Sequence, residues 1–243
     1  MTHPAFAQTD HRPWPVPDRP WGWRQVWLDL AFIHFEADAA AIRRHLPAGL
    51  ELDTFDGRAW IGLVPFRMEG VTRRGLPAPR WFCDFPEFNV RTYVTRDGKP
   101  GVWFFSLDVP NATAVWAART FFHLPYYRAT FSVRRESDGT WDYRAHRDHR
   151  AFAARYRPVG PRVADPGAFG AWSTERYCLY TQSRRGVLYR GEIQHPRWPL
   201  QRAELELSVN RYADLQLGPR HPDVWFSPRV DVVVWPLDRL AGR

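Results

Sequence analysis

Hydrophobic and polar residues alternate with a two-residue period along most of the chain, a pattern typical of β-strands. The clearest case is a predicted hairpin, whose strands Asn89–Thr95 and Val102–Asp108 flank the sequence Arg96-Asp97-Gly98-Lys99-Pro100-Gly101. Asp-Gly and Pro-Gly pairs are strong turn signals. A long strand is predicted over Trp60–Val71, with Ile61, Leu63 and Pro65 on one face and Trp60, Val64, Phe66 and Met68 on the other.

Further strands and a few short helices complete the predicted elements. Two helices are indicated by capping residues, Asp38 before residues 39–45 and Asn111 before Ala112–Phe122, and a third is predicted near 208–214. The other predicted strands cover residues 24–36, 126–135, 140–147, 151–157, 175–182, 187–195 and 229–236. Strands outnumber helices by about ten to three, which predicts a β-rich α+β domain with a large, closed sheet.

The first 22 residues differ in composition from the rest of the chain. Proline cannot continue a helix or a central strand, so this segment forms neither. We expect an extended arm laid over the surface of a single domain that covers residues 23–243, with a simple linker as the alternative. The residues responsible are Pro4, Pro13, Trp14, Pro15, Pro17, Pro20 and Trp21.

Charge changes this picture only slightly. The chain has 34 Lys and Arg residues against 26 Asp and Glu, a net charge of +8, and its only lysine is Lys99. Enzymes that need several lysines are therefore excluded. Binding to nucleic acid is an unfavoured alternative, because the arginine pairs are scattered among acidic residues. These pairs are Arg43-Arg44, Arg73-Arg74, Arg134-Arg135 and Arg184-Arg185.

Location and cofactors are constrained by what the sequence lacks. No apolar run approaches the 18 to 20 or so residues that a membrane-spanning helix needs, and no secretory pattern precedes Ala5-Phe6-Ala7. We expect a cytoplasmic protein in which Cys83 and Cys178 are buried thiols. His146 and His149 have arginine neighbours and no third ligand nearby, so neither a metal nor a cofactor is expected.

Several strings in the chain resemble the YqjF-like family, a bacterial family of unknown function within the acetoacetate-decarboxylase-like superfamily. The resemblance implies a curved, mostly antiparallel sheet that closes into a cone-like barrel around an internal cavity, with a few short helices. The strings are Arg43-Arg-His-Leu-Pro-Ala-Gly-Leu-Glu-Leu-Asp53, Gly62-Leu-Val-Pro-Phe-Arg67, Phe85-Pro-Glu-Phe-Asn-Val-Arg-Thr-Tyr-Val94, Gly101-Val-Trp-Phe-Phe-Ser-Leu-Asp108, Thr174-Glu-Arg-Tyr-Cys-Leu-Tyr180, Arg190-Gly-Glu-Ile-Gln-His-Pro-Arg-Trp-Pro-Leu200 and Val230-Asp-Val-Val-Val-Trp-Pro-Leu237.

The same resemblance bears on chemistry. In the decarboxylases a cavity lysine forms a Schiff base with a β-keto acid, but the segment that resembles their Pro-Lys-Lys reads Pro125-Tyr126-Tyr127 here. Lys99 is predicted at an exposed hairpin tip, so the resemblance implies the fold without that reaction. Phe85-Pro86-Glu87 resembles the superfamily's aromatic-x-Glu, whose carboxylate faces the cavity.

One face of the predicted hairpin is polar, since Asn89, Arg91 and Tyr93 alternate along one strand. If this face points to solvent, the strand is an ordinary half-buried one. If the sheet closes, these residues and Glu87 line a cavity suited to a small carboxylate or carbonyl ligand, because guanidinium binds such groups bidentately.

The remaining candidates are Arg67, Tyr126, Glu175 and Glu192. Glu175 and Glu192 lie either in an Arg–Glu lattice on a sheet surface or in the cavity. We expect a small-molecule binding protein, and a homo-oligomer is possible. The alternative is a lysine-independent lyase or hydrolase that uses Glu87 or Glu192 for acid–base work, Arg67 or Arg91 as the anchor, and Tyr93 or Tyr126 as a proton donor.

Overall fold

The structure is a computed structural model and describes residues 3–212, 217–218 and 222–241. These residues form fourteen strands and four short α-helices. The strands are β1 (Trp23–Ala37), β2 (Glu51–Leu52), β3 (Ala59–Arg73), β4 (Phe85–Arg96), β5 (Lys99–Val109), β6 (Tyr126–Arg128), β7 (Thr130–Arg135), β8 (Trp141–Arg147), β9 (Arg150–Val159), β10 (Cys178–Gln182), β11 (Leu188–Gln194), β12 (Gln201–Asn210), β13 (Asp223–Val234) and β14 (Asp238–Arg239). The helices are α1 (Ala39–Arg43), α2 (Arg80–Cys83), α3 (Ala112–Phe121) and α4 (Gly167–Thr174).

Seven strands form a closed ring in the order β13, β1, β3, β4, β5, β10 and β11. The ring closes because β11 also pairs with β13, at Ile193 opposite Val234. All of these pairings are antiparallel except that between β5 and β10, and the ring is not a regular barrel. This arrangement confirms the predicted β-rich fold with a closed, mostly antiparallel sheet.

The strands β12, β9, β8 and β7 continue the sheet from β13 and pack on the outside of the ring. Two hydrophobic cores result, one between this outer layer and the ring, the other inside the ring. The predicted alternation on β3 is confirmed, because Ile61 and Leu63 lie in the outer core while Val64, Phe66 and Met68 lie in the inner one.

Local signals located several elements correctly. Asp38 caps α1 by accepting a hydrogen bond from the Ala40 amide, and Asn111 caps α3. The hairpin turn is shorter than the predicted six residues. Only Asp97 and Gly98 connect β4 to β5, with φ of 51° and 72°, the geometry that two-residue hairpins favour.

Other elements differ from prediction. The prediction of a helix near 208–214 is wrong at residues 208–210, because these form the end of β12. Residues 213–214 lie outside the described part of the chain. The strand predicted over 175–182 begins only at Cys178, because α4 precedes it and was not predicted.

The N-terminal segment packs against the ring. Residues Pro4–Phe6 form a 3₁₀ turn, and Ala5 is completely buried against Val233 and Trp235 of the β13 region. No helix in the part of the chain described here is long and apolar enough to cross a membrane.

Candidate ligand-binding site

A cavity of about 60 Å³ lies inside the strand ring. Its polar wall is a row of three side chains on β4, Glu87, Asn89 and Arg91, with Tyr126 beside them. Alternate residues of a strand share a face, and at about 3.3 Å per residue the row extends over roughly 13 Å. The remaining walls are Gln25, Trp27, Leu30, Phe32, Val64, Phe66, Met68, Phe104, Leu107, Leu124, Ile193 and Trp198. Four of the predicted site residues therefore line the same cavity.

Glu87 lies at one end of this row and is 2% exposed. The Tyr126 hydroxyl donates a hydrogen bond to Glu87 Oε2 at 2.9 Å, and the Asn89 side chain also bonds to the carboxyl group. Burial raises the pKa of Glu87 to about 8, although both hydrogen bonds act in the opposite direction. Glu87 is therefore mostly protonated and neutral at pH 7.

Arg91 lies at the other end of the row and is 8% exposed. Its Nη2 donates to the Ser173 carbonyl at 3.1 Å, and its guanidinium lies 5.3 Å from the ring centre of Phe32. No carboxylate of the described residues forms an ion pair with it, and its Nε has no hydrogen-bond partner there. A guanidinium does not lose its proton in a protein, so the cavity holds a buried positive charge without a counter-charge.

Asn89 lies between these two groups and is 5% exposed. Its Oδ1 is buried and has no hydrogen-bond partner within the described part of the structure. Buried polar atoms in proteins are nearly always paired. Two side chains of the wall, Asn89 and Arg91, therefore each carry a buried polar atom without a partner among the described residues.

A bulge in β1 explains walls that the sequence analysis missed. Between Leu28 and Ile33, β1 has one residue more than its partner β3, and Asp29 adopts a left-handed φ of 55°. The bulge shifts the alternation by one position, so that odd-numbered residues line the cavity before it and even-numbered residues after it. These are Gln25 and Trp27, then Leu30 and Phe32.

Tyr93 continues the row past Arg91 but does not line the cavity. Its hydroxyl and His34 Nε2 are 2.6 Å apart, and the guanidinium of Arg176 lies 4.9 Å from its ring centre. Burial holds the pKa of His34 well below its usual range. Tyr93 therefore belongs to the buried packing behind Arg91, not to the cavity wall.

Two other predicted residues also lie away from the cavity. Arg67 is on the opposite face of β3, where it pairs with Asp29 at 2.7 Å. Glu175 accepts a hydrogen bond from the Tyr177 hydroxyl and one from the Trp198 amide at 3.3 Å. Both residues stabilise neighbouring segments of chain.

Glu192 lies in a buried cluster under the N-terminal arm. It pairs with Arg12 and Arg190, each at 3.0 Å, and with Lys99 at 3.6 Å, and it accepts a hydrogen bond from Trp14 Nε1 at 2.8 Å. The prediction that Lys99 occupies an exposed hairpin tip is wrong, because it begins β5 and its side chain is 31% exposed. Three cations and an indole thus neutralise Glu192 outside the cavity.

A basic groove of about 940 Å³ lies on the surface beside α3. Arg119, Arg184, Arg185 and Arg239 line it, so one of the scattered arginine pairs does meet other arginines in space. Nucleic-acid binding stays an unfavoured prediction. The described residues contain no group of three or more His, Cys, Asp and Glu side chains placed to hold a metal.

Comparison with known proteins identifies the family. Residues 24–231 match the model of DUF2071, which is described as an uncharacterized conserved protein. The chain belongs to the DUF2071 family. It is 43% identical over 233 residues to the uncharacterized protein YqjF of Bacillus subtilis strain 168. The aligned region covers 93% of this chain and 96% of YqjF. The resemblance to the YqjF-like family is confirmed.

Solved structures with a similar fold include enzymes. Acetoacetate decarboxylase from Legionella pneumophila matches with a TM-score of 0.69 at 15% identity, covering 96% of this chain and 93% of that one. The enduracididine biosynthesis enzyme MppR, complexed with pyruvate, matches with a TM-score of 0.65 at 14% identity, covering 96% and 93%. This DUF2071 protein therefore has the acetoacetate-decarboxylase-like fold.

Proposed function

We propose that this DUF2071 protein binds a small organic carboxylate, or a related carbonyl compound, in the cavity inside the strand ring, and that it does so in the cytoplasm. The observation that carries the proposal is Arg91, a buried side chain of the cavity wall whose guanidinium has no carboxylate partner among the described residues. A cytoplasmic location suits Cys83 and Cys178, which are both free thiols.

The charges in the cavity favour an anionic ligand. Because the pKa of Glu87 is about 8, its carboxyl group is mostly neutral at pH 7 and does not compensate Arg91. A ligand carboxylate would supply the missing charge through a bidentate, charge-assisted hydrogen bond. Asn89 Oδ1 and the Glu87 carboxyl would then contact hydroxyl or carbonyl groups of the ligand.

The cavity size and the structural neighbours agree with a small ligand. At roughly 10 to 15 Å³ per water-sized position, a volume of about 60 Å³ accommodates only a compact polar group. The neighbours named above are an acetoacetate decarboxylase and an enzyme complexed with pyruvate, and both names refer to small keto acids. Keto acids are therefore the first ligands to test.

We expect Arg91→Met to weaken carboxylate binding by at least about thirtyfold, since losing a buried charged partner costs about 2 kcal/mol or more. Acetoacetate and pyruvate would be added in a thermal-shift titration. At one hundred times Kd a ligand stabilises the wild type by about 2.7 kcal/mol, or roughly 5 to 10 °C in Tm for a chain of this size.

Two further variants make this test specific. Arg91→Lys keeps the positive charge and should retain part of the affinity. Arg144→Met removes an exposed arginine that pairs with Asp142 on the outer layer, and should bind as the wild type does. Equal ligand-induced shifts in Arg91→Met and the wild type would contradict the proposal.

A second candidate is acid–base catalysis on the bound ligand. The neutral carboxyl of Glu87, with a pKa of about 8 and the Tyr126 hydroxyl at 2.9 Å, matches the requirements of a general acid near neutral pH. With the ligand carboxylate on Arg91, Glu87 would donate its proton to the ligand's carbonyl oxygen while the α-carbon loses a proton to water, which gives the enol. The Glu87 carboxylate would then regain a proton from that hydronium ion. This reaction needs no covalent bond to the protein.

A further inference from the structure

An apolar pocket of about 180 Å³ adjoins the polar cavity, and we call it the vestibule. The vestibule has thirteen wall residues. Their polar side-chain groups are the Gln25 amide, the Tyr126 hydroxyl and the Trp23 indole nitrogen. The apolar walls are Trp23, Met68, Val71, Phe82, Phe85, Ala114, Ala117, Ala118, Phe122, Leu124 and Val234. A wall of this composition favours hydrocarbon over water.

Helix α3 keeps this space open. Ala114, Ala117 and Ala118 line the vestibule, and their i, i+3, i+4 spacing places them on one face of the helix. Methyl side chains on this face leave room that larger apolar residues would fill. The described residues of α3 include no buried side chain, so this helix does not close the vestibule by packing into it.

The vestibule and the polar cavity are adjacent. Gln25, Met68, Leu124 and Tyr126 belong to the walls of both. Tyr126 marks the junction, because its hydroxyl reaches Glu87 in the cavity while the residue itself also borders the vestibule. From the vestibule inward the order is therefore apolar wall, then Glu87 with Tyr126, then Asn89, then Arg91.

From this order we infer that the ligand is an amphiphile, a carboxylic acid whose hydrocarbon chain lies in the vestibule. The inference rests on the proposed function and adds the class of ligand to it. The carboxylate and any adjacent carbonyl occupy the polar cavity, which is too small for the whole molecule. The chain then passes Tyr126 and Met68 and contacts the alanine face of α3.

Affinity should therefore rise with chain length. The experiment measures Kd by calorimetry for straight-chain 2-oxo acids from pyruvate to 2-oxooctanoate. Burying one methylene contributes about 0.8 kcal/mol, or about fourfold in Kd. We expect a gain approaching fourfold per added methylene until the chain reaches solvent. A Kd that stays constant or rises with chain length would overturn the inference.

A variant that fills the vestibule tests the location. In Ala118→Phe the gain with chain length should disappear, while pyruvate binds within about twofold of wild type. Ala112→Phe places the same ring on the exposed start of α3, outside the vestibule. This variant should show the same increase in affinity with chain length as the wild type. Wild-type chain-length dependence in Ala118→Phe would overturn the assignment to the vestibule.

The two proposals fail in different ways. If short acids bind in a manner that depends on Arg91 but longer acids bind no better, the amphiphile inference is wrong and the carboxylate site stands. If no 2-oxo acid of any length binds, the proposed function fails and the inference fails with it. If long acids bind equally well to Arg91→Met, the vestibule holds the chain but the anchor is not Arg91.

Discussion

Glu87 and Arg91 show how two buried ionisable residues in one cavity reach different charge states. Burying a charge without a partner is costly, and a carboxyl group escapes this cost by taking up a proton whereas a guanidinium cannot. The structure keeps Arg91 charged and shifts the pKa of Glu87 to about 8. The cavity consequently carries one positive charge at neutral pH, and the charge becomes balanced only when Glu87 ionises.

The raised pKa of Glu87 should make stability depend on pH. Its pKa is about 8 in the folded chain against 4.5 ordinarily, so the folded state binds the proton more tightly. The resulting stabilisation is complete below pH 4.5 and is lost as the pH rises towards 8, by up to about 1.4 kcal/mol per pH unit. Glu87→Gln should remove this loss, as measured by urea unfolding at several pH values.

Between pH 6.5 and 8, the difference in unfolding free energy between the wild type and Glu87→Gln reports on the ionisation of Glu87. The pKa of His34 and that of His195 are lowered by burial, the latter to about 4, so their contributions change mainly below about pH 7.5 and are the same in the wild type and Glu87→Gln. Glu204→Gln alters an exposed glutamate that pairs with Arg157, and should follow the wild-type curve. Parallel curves for Glu87→Gln and the wild type would show that Glu87 is already ionised at pH 6.5.

At the level of elements, local sequence signals located the cavity strand but not the rest of the cavity. Alternation along β4 placed Glu87, Asn89 and Arg91 on one face, and the structure has them on one wall. The bulge at Asp29 could not be predicted, because the extra residue is defined only by pairing with β3. Trp27 and Phe32 were missed for this reason.

Long-range contacts account for the site residues that lie elsewhere. Tyr93 has the predicted orientation, but Trp172 of α4 and Arg176 pack on its ring, and α4 has no strong local signal. Glu192 is covered by Arg12 and Trp14, which lie about 180 residues earlier in the chain. Periodicity carries no information on contacts at such separations.

The N-terminal arm should contribute to stability through Arg12. Its side chain is 1% exposed, pairs with Glu192 at 3.0 Å and donates a hydrogen bond to the Gln194 side chain at 3.1 Å. Breaking a buried pair typically costs 3 to 5 kcal/mol. We expect about 3 kcal/mol for Arg12→Met in urea unfolding, because Arg190 and Lys99 still pair with Glu192.

A matched variant and a double mutant separate the causes. Arg19→Met changes an arm arginine that is 40% exposed and pairs with Asp238, and should cost less than about 1 kcal/mol. Combining Arg12→Met with Glu192→Leu should cost less than the sum of the two single changes, because each single change already removes the Arg12–Glu192 pair. Additive costs would mean that Arg12 acts through its other contacts.

On the scale of the whole molecule, closure of the ring turns one polar strand face into the wall of an internal cavity. An open sheet would expose Asn89 and Arg91 to water, where neither would lack partners. Closure by the β11–β13 pairing puts this face inside, and the outer layer covers the opposite face of β1, β3 and β4. The vestibule lies beside this cavity, against β1, β3 and α3.

The distribution of lysine through the whole chain decides which chemistry such a cavity supports. Lys99 is the only lysine, and it contacts Glu192 and the Trp14 ring instead of lining the cavity. Incubation with acetoacetate and borohydride, followed by peptide mass mapping, should therefore give no adduct at Lys99. Any proton exchange or decarboxylation of a keto acid should proceed unchanged in borohydride-treated protein and in Lys99→Arg. A stoichiometric adduct at Lys99, accompanied by loss of that reaction, would establish Schiff-base catalysis and contradict the acid–base assignment of Glu87.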